Sequence, residues 1–340
     1  MKYDKAQAAI WRPPVDVPLE NQADRVRELV RCATLAPSAH NTQCWKFRVS
    51  DGAVTILPDF SRRCPISDPN DHHLYVTLGC AVENLVIAAR AHGIDAIVDS
   101  TTPSEGIKID VTKTCAPEAT ALFKAIPDRQ CTRTDYDGQP LTSEELQLLT
   151  QAGTGKGVRI QLFTKEEAQS LLLEWIQRAN AAQLNDAEFK KEIEHWTRFN
   201  DKHAVTSGDG LAVNRVLGKP SIPKWLGHFI LKVALKAGPQ NEEIRKQIAS
   251  SAGMAIFVSE KDDVIHWVEA GRCYERFALQ ATALGVKNSF LNQPVEDSKI
   301  RPDFAKELGL TGGRPDLIVR FGRGAAMPHS LRRPLEEVIE

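Results

Sequence analysis

The chain has 340 residues, more than one ordinary domain needs, so two domains or one duplicated domain is the starting expectation. Hydrophobic residues make up 42% and charged residues 26%, enough apolar material for a sizeable core. A net charge of −1 excludes the broad positive field that holds nucleic acid or a membrane across a whole surface, so any partner is recognised locally.

Seven cysteines are scattered, odd in number and never spaced C-x-x-C, which argues against a disulfide framework or a zinc cluster and suits a reducing compartment. The opening MKYDKAQAAIWRPP has no signal-peptide core, and no apolar run approaches the length of a membrane span. A soluble, cytoplasmic protein is expected.

The segment LENQADRVRELVRCATLAPSAHNTQCWKFRV (19–49) reads as a polar start leading into the first predicted helix, then the loop APSAHNTQCW (36–45) and a strand, KFRV (46–49). A long buried helix follows, GCAVENLVIAARAHGI (79–94), with apolar residues at helical spacing and Gly93 closing it. The strand IKIDV (107–111) ends this stretch, and a boundary falls between residues 116 and 128. Next comes RQCTRTDYDGQPL (129–141), and 141–164 reads as a helix capped by Thr142 with Glu145 three residues on, a glycine-containing loop and an alternating strand. After an insertion of helical pattern (165–245), a second long helix, GRCYERFALQATALGV (271–286), closes at Gly285 before the strand DLIVRFG (316–322).

Helix, loop, strand, long helix and strand thus occur twice in one order. The long helices both open with Gly and carry Glu at the same offset, Glu83 and Glu275. One match between amphipathic helices arises by chance; three in the same order indicate duplication, with halves 1–120 and 121–340. The halves differ in what they keep. The first retains APSAHNTQCW where the second has AGTGKG, and the second retains RQCTRTDYDGQPL where the first has IWRPPVDVPL. Each half holds a different part of one site.

Three segments could carry chemistry. In the loop, small residues let the backbone approach a flat ligand, and Ser38, Asn41 and Gln43 can hydrogen-bond its polar edge. The plain alternative is a turn. Arg129 and Arg133 share a side in a helix or a strand and suit a phosphate; the alternative is a solvated pair with Asp128 or Asp135. Arg332 and Arg333 form a basic turn between prolines after the last strand.

With APSAHNTQ-x-W, R-x-x-x-R-x-x-Y-x-x-x-P-L, AGRCYERFALQATALGV and GRG…RRPLEEVI in this order, the chain resembles the FMN-dependent nitroreductase family. Within it, the chain resembles the duplicated single-chain branch typified by mycobacterial Acg-like proteins. The resemblance covers nearly the whole chain and is weakest in the first twenty residues and the insertion. It implies an α+β, nitroreductase-like fold whose halves form a pseudo-dimer around FMN. It assigns Arg129, Arg133 and one of Arg332 and Arg333 to the FMN phosphate. Pro37, Ser38, His40, Asn41 and Gln43 would line the ring or ribityl chain, and the turn Leu291, Asn292, Gln293 would pass the reactive edge. One site is expected, because the loop survives in one half and the phosphate arginines in the other. A monomer is possible because the dimer interface is internal. Two departures loosen the match: Cys131 stands where the family has Ser, and Cys44 where it has Pro.

The resemblance implies passage of reducing equivalents from NADPH or NADH, bound transiently, through FMN to a nitro compound, quinone or similar acceptor. The cofactor carries that chemistry, so no catalytic side chain is assigned. A second reading is a flavin-sequestering or storage protein with a lidded site and little turnover; a third is a degenerate protein without cofactor. In the insertion, residues 225, 226, 229, 230, 233 and 234 form an apolar stripe bordered by lysines. Core packing is the plain expectation for it, a membrane-surface helix another, and a lid is what the relatives suggest. No metal is expected, since His72, His73 and His195 lack ligand spacing. The absence of G-x-G-x-x-G argues against a resident nicotinamide.

Overall fold

The computed structural model describes residues 2–15, 21–310 and 312–340, without the side chains of 232–234. Residues 19 and 20, in the polar start before the first predicted helix, and the side chains of Val233 and Ala234 in the apolar stripe, lie outside that description.

The first half runs α1 (Tyr3–Ile10), α2 (Gln22–Thr34), β1 (Trp45–Ser50), β2 (Ala53–Pro58), α3 (His72–Ala91), β3 (Ile97–Asp99) and β4 (Ile107–Asp110), and α4 (Ala121–Ala125) lies in the boundary segment between residues 116 and 128. The second opens with α5 (Ser143–Ala152) and β5 (Val158–Phe163). The expected cap on α5 is present: Thr142 Oγ1 accepts from Glu145 N at 3.2 Å, and Glu145 Oε2 accepts from Thr142 N at 2.8 Å. The insertion then supplies α6 (Glu166–Asn185), α7 (Ala187–His195), β6 (Thr197–Arg198), α8 (Asp201–Ser207), β7 (Leu211–Ala212), α9 (Val213–Val216), α10 (Lys224–Ala234) and α11 (Ala237–Ala249). The half closes with β8 (Gly253–Ser259), α12 (Val264–Ala283), β9 (Lys287–Phe290), α13 (Gln293–Glu296), α14 (Arg301–Glu307), β10 (Arg314–Gly322) and α15 (Leu335–Val338).

The α+β class expected from the sequence is what the structure has. Two antiparallel four-stranded sheets share one topology, β1-β2-β4-β3 and β5-β8-β10-β9, each with a 20-residue helix after its second strand. The two strands expected per half become four. β3 and β9 are too short to show a period, and β8 is buried at every position, so it lacks the alternation that marks a half-buried strand.

α3 and α12 cross at backbone contact. A Cβ on Gly79 would stand 2.0 Å from the carbonyl oxygen of Val268, and one on Gly271 would stand 1.9 Å from that of Val76. The contact is reciprocal, each helix's glycine meeting a carbonyl of the other. The expected helix starts at these glycines are thereby corrected. They lie mid-helix, where the crossing leaves no room for a side chain, and the helices begin at His72 and Val264. The ends at Gly93 (φ 75°) and Gly285 (φ 71°) are as expected.

By length and composition α3 is apolar enough to cross a membrane, which corrects the expectation that no run approaches that length. Yet 83% of its apolar window is buried inside the protein, against α2 and α12. The tail returns to the first half: Ile339 bridges Phe47, Tyr3 Oη donates to His329 O (2.8 Å) and Trp11 Nε1 to Ser330 O (2.9 Å). That return places Arg332 beneath the loop that follows α2.

Candidate functional site

The loop after α2 is held in a costly conformation. His40 (φ 48°), Asn41 (φ 56°) and Gln43 (φ 54°) all occupy the left-handed region, which non-glycine residues adopt only when their surroundings compel it. The surroundings do so here. Ser38 Oγ accepts from Gln43 N at 2.9 Å. Asn41 Nδ2 donates to Gly210 O (3.0 Å) and Leu331 O (3.1 Å), while its Oδ1 accepts from Arg332 Nη1 (2.9 Å). Gln43 Nε2 donates to Gly208 O (2.9 Å), and its Oε1 accepts from Arg333 N (2.8 Å). The loop is therefore clamped between the insertion and the tail.

Beside it lies a cavity of about 260 Å³ walled by both halves and the insertion. The first half contributes Pro37, Ser38 and His40 with Thr77 and Cys80 of α3; the second contributes Cys131, Arg133, Asn292 and Gln293; the insertion contributes Asn180, Leu184 and Phe189. A cleft of about 60 Å³ adjoins it, sharing Pro37, Ser38, Cys131 and Arg133 and adding Asn41, Arg129, His329 and Arg332. Three of the expected residues face neither space. Gln43 is spent on the clamp. Leu291 packs into a core cluster with Val295 and Phe304. Arg333 turns to Glu337, with Nε 3.5 Å from the carboxylate.

The cleft carries excess positive charge. Arg332 is buried and donates to Thr34 O (2.7 Å), Leu35 O (3.1 Å) and Ala36 O (3.0 Å), the carbonyls that α2 leaves open at its C-terminal end. Arg129 is buried too, donating to Leu35 O at 3.0 Å with Nε 3.3 Å from Glu275, while its Nη1 has no hydrogen-bond partner. Burial and the charge of Arg129 pull Arg332 down to about 9. Burial pushes Glu275 up to about 7, against the pull of Arg129. Arg133 makes no side-chain hydrogen bond or ion pair among the described residues, yet borders both spaces. Three guanidinium groups thus border the cleft, while the carboxylate beside Arg129 is itself reluctant to ionise, an arrangement that an anion would relieve.

The main cavity holds one histidine of the loop motif, His40, and one that no motif announces, His73. Burial pushes His40 down to about 4, so its ring is neutral at neutral pH. His73 lines the same wall near Asp68 and Asn292, with Nε2 3.2 Å from Asn292 Nδ2. Burial opposes a charge on His73, but the hydrogen bond and charge of Asp68 outweigh it and hold the ring above its ordinary value. Asp68 stands five residues before His73, and the two meet only because the segment before α3 folds back on itself. The expectation that no ligand set stands near these histidines is corrected: Asp68, His72 and His73 offer ligand atoms within 4.8 Å of one another, as do His40, Cys64 and Glu192. In the first set, His72 Nε2 is 2.7 Å from Arg314 Nη1, a poor setting for a cation. In the second, Glu192 is engaged elsewhere, accepting from Ile66 N (2.9 Å), Ser67 N (2.9 Å) and Ser67 Oγ (2.6 Å). That carboxylate ties α7 of the insertion to the first half, across one wall of the cavity.

No family model matches the chain. It is similar over 332 residues, at 26% identity, to a Mycobacterium tuberculosis protein provisionally named NAD(P)H nitroreductase; the alignment covers 94% of this chain and 92% of that one. An uncharacterized M. tuberculosis protein is 23% identical over 333 residues, covering 93% and 92%. Among solved structures, an FMN-dependent nitroreductase of Mycobacterium smegmatis in complex with NADPH is 13% identical with a TM-score of 0.43, covering 65% of this chain and 97% of that one. A nitroreductase with bound FMN from Desulfitobacterium hafniense is 15% identical with a TM-score of 0.40, covering 66% and 98%. The resemblance to nitroreductase-like proteins that the motifs imply therefore extends over nearly the whole chain.

Proposed function

We propose that the chain holds one FMN between its halves, each a copy of one ancestral unit, and acts as an NAD(P)H oxidoreductase. The observation that carries this reading is the pair of joined spaces, the larger walled by both halves and the smaller rich in guanidinium groups. The residues present suit the cofactor. The loop from Pro37 to Asn41 and the Asn292–Gln293 turn offer polar groups around the larger space, and Gln293 Oε1 is a buried acceptor without a partner. Arg133 and Arg129 Nη1 are the donors left for a phosphate, since Arg332 is spent on α2. Bound FMN supplies two-electron transfer between a nicotinamide and an acceptor. The chain's own part is to hold the phosphate, fix the ring edge with preset loop groups and exclude water with the insertion. The full-length relative named a nitroreductase supports an acceptor of the nitro or quinone class, with NADPH or NADH as a visiting reductant.

Arg133→Ala is expected to weaken FMN binding about 10- to 100-fold, the range for losing a charge-assisted contact, and to leave riboflavin affinity nearly unchanged. Equal losses for both ligands in titration calorimetry would remove Arg133 from the phosphate.

A second reading, flavin sequestration, is favoured by the Glu192 tie that holds α7 across the cavity. Anaerobic mixing of the flavin-loaded protein with NADPH and NADH separates the two. Rapid bleaching of the flavin band followed by reoxidation with a quinone supports the oxidoreductase, while oxidised flavin persisting under excess of both nucleotides supports storage.

A further inference from the structure

α10 presents its apolar side outward. Trp225 is 73% exposed, Phe229 67% and Ile230 43%; the first two are the most exposed large hydrophobic residues among those described. Their spacing at i, i+4 and i+5 gathers them on one side of the helix. The opposite side is the one that packs. Gly227 lies against Phe199, where a Cβ would stand 2.3 Å from the ring, and His228 Nδ1 is 2.5 Å from Glu194 Oε1. Leu231 joins Leu184, Phe189 and Leu235 in a small core cluster. The expectation that this stripe packs into the core is therefore corrected: a narrow seam of small and aliphatic residues docks the helix, and the bulky aromatics are left in solvent.

Charge marks what could cover them. Residues 210–241 contain five Lys and Arg and no Asp or Glu, in a chain whose net charge is −1. Lys219, Lys224 and Lys236 are exposed around the helix, and Glu194 is occupied by His228 on the packed side. A second copy docked through the same face would bring two lysine rims together, which like-charge repulsion opposes. An anionic lipid surface satisfies both features. It takes tryptophan and phenylalanine at the boundary between headgroups and acyl chains, and lysines at the headgroups.

We propose that α10 docks this protein reversibly on an anionic membrane surface, with Trp225, Phe229 and Ile230 entering the interface and the flanking lysines meeting lipid phosphates. The proposal stands on this surface alone and does not depend on the flavin. Leu184 and Phe189, which α10 covers, also wall the main cavity, so docking would bring that wall close to the bilayer.

Co-sedimentation of the full-length protein with phosphatidylcholine vesicles, with and without phosphatidylglycerol, tests it. The protein is expected to pellet with the anionic vesicles and to be released by high salt. Trp225→Ser with Phe229→Ser should abolish pelleting, and Lys219→Glu with Lys224→Glu should lower the partition coefficient at least about tenfold. All four positions are exposed, and unchanged circular dichroism and melting would show that the fold is kept. Absence of pelleting with anionic vesicles, or equal pelleting with and without phosphatidylglycerol, overturns the proposal. So does a concentration-dependent dimer in light scattering that Trp225→Ser with Phe229→Ser dissolves while vesicles fail to bind, since the face would then serve a second copy.

Discussion

At the scale of single residues, the cleft is governed by how buried charge is compensated. Arg129 and Arg332 are adjacent in space and both reach the carbonyls at the end of α2, so the helix terminus supplies part of the negative potential that Glu275 withholds. Glu275 has a pH signature. Its pKa is raised in the folded protein from 4.5 to about 7, so the folded state binds more protons than the unfolded chain between those values. Its contribution to stability is therefore complete below about pH 4.5 and is lost as the pH rises through about 7. Glu275→Gln, which keeps the shape without the charge, is expected to flatten that part of the stability profile. Parallel profiles for the two proteins in urea unfolding would mean that Glu275 does not titrate in this window. The same protonation releases Arg129 from the one carboxylate it pairs with among the described residues, so anion affinity at the cleft should increase as the pH falls through about 7.

At the scale of elements, the crossing of α3 and α12 is the joint on which the halves meet. Alanine normally favours a helix over glycine by about 1 kcal/mol, so a helical glycine that cannot be replaced reports a close approach. Gly79→Ala and Gly271→Ala each place a methyl group about 2 Å from a backbone carbonyl oxygen, and backbone cannot turn aside as a side chain can. Each is expected to cost about 1–3 kcal/mol despite the gain in propensity, read as a lowered melting temperature. Gly285→Ala is the useful contrast, because nothing lies within 4 Å of its Cβ and only the positive φ of 71° is strained. A melting temperature for Gly79→Ala that is unchanged or raised, as expected of a solvent-facing helical Gly→Ala change, would show that the helices separate at little cost. The elements also show what was legible: α2, α5, β4, β5 and both closing glycines follow from periodicity and caps. The starts of α3 and α12 did not: the first turn of α3 is buried at every position and carries no solvent side to mark a boundary, whereas α12 starts in a more exposed turn capped by Asp263, a local signal missed in the sequence.

At the scale of the whole molecule, the insertion and the tail decide how open the cavity is. The tail pins the loop through Leu331, Arg332 and Arg333, and the insertion pins it through Gly208 and Gly210. α7 is tied to the first half by Glu192, whose three accepted hydrogen bonds all come from Ile66 and Ser67. Glu192→Ala is expected to speed amide exchange at Ile66 and Ser67 and along α7, with little change in the α3–α12 crossing. Unchanged protection at those amides would show that α7 is held by its apolar contacts, Phe189 and Ile193, rather than by the carboxylate. Faster flavin release in the same variant would make this tie the control on access.

The sequence by itself determined the repeated order of helix, loop, strand and long helix, because periodicity, caps and local motifs are properties of neighbouring residues; its resemblance to the nitroreductase family implied the α+β class. The resemblance carried by those motifs assigned Arg133, His40 and Ser38 to one site, and all three line the cavity. Only the tertiary structure decided which of the paired arginines keeps a free head, since that depends on carbonyls at the end of α2 far away in the chain. It likewise brought His73 to Asp68 at the cavity wall, spent Gln43 on the tail and turned the aromatic side of α10 to solvent. Those outcomes come from packing between distant segments, and an apolar stripe reads the same in sequence whether its partner is the core or something outside the molecule.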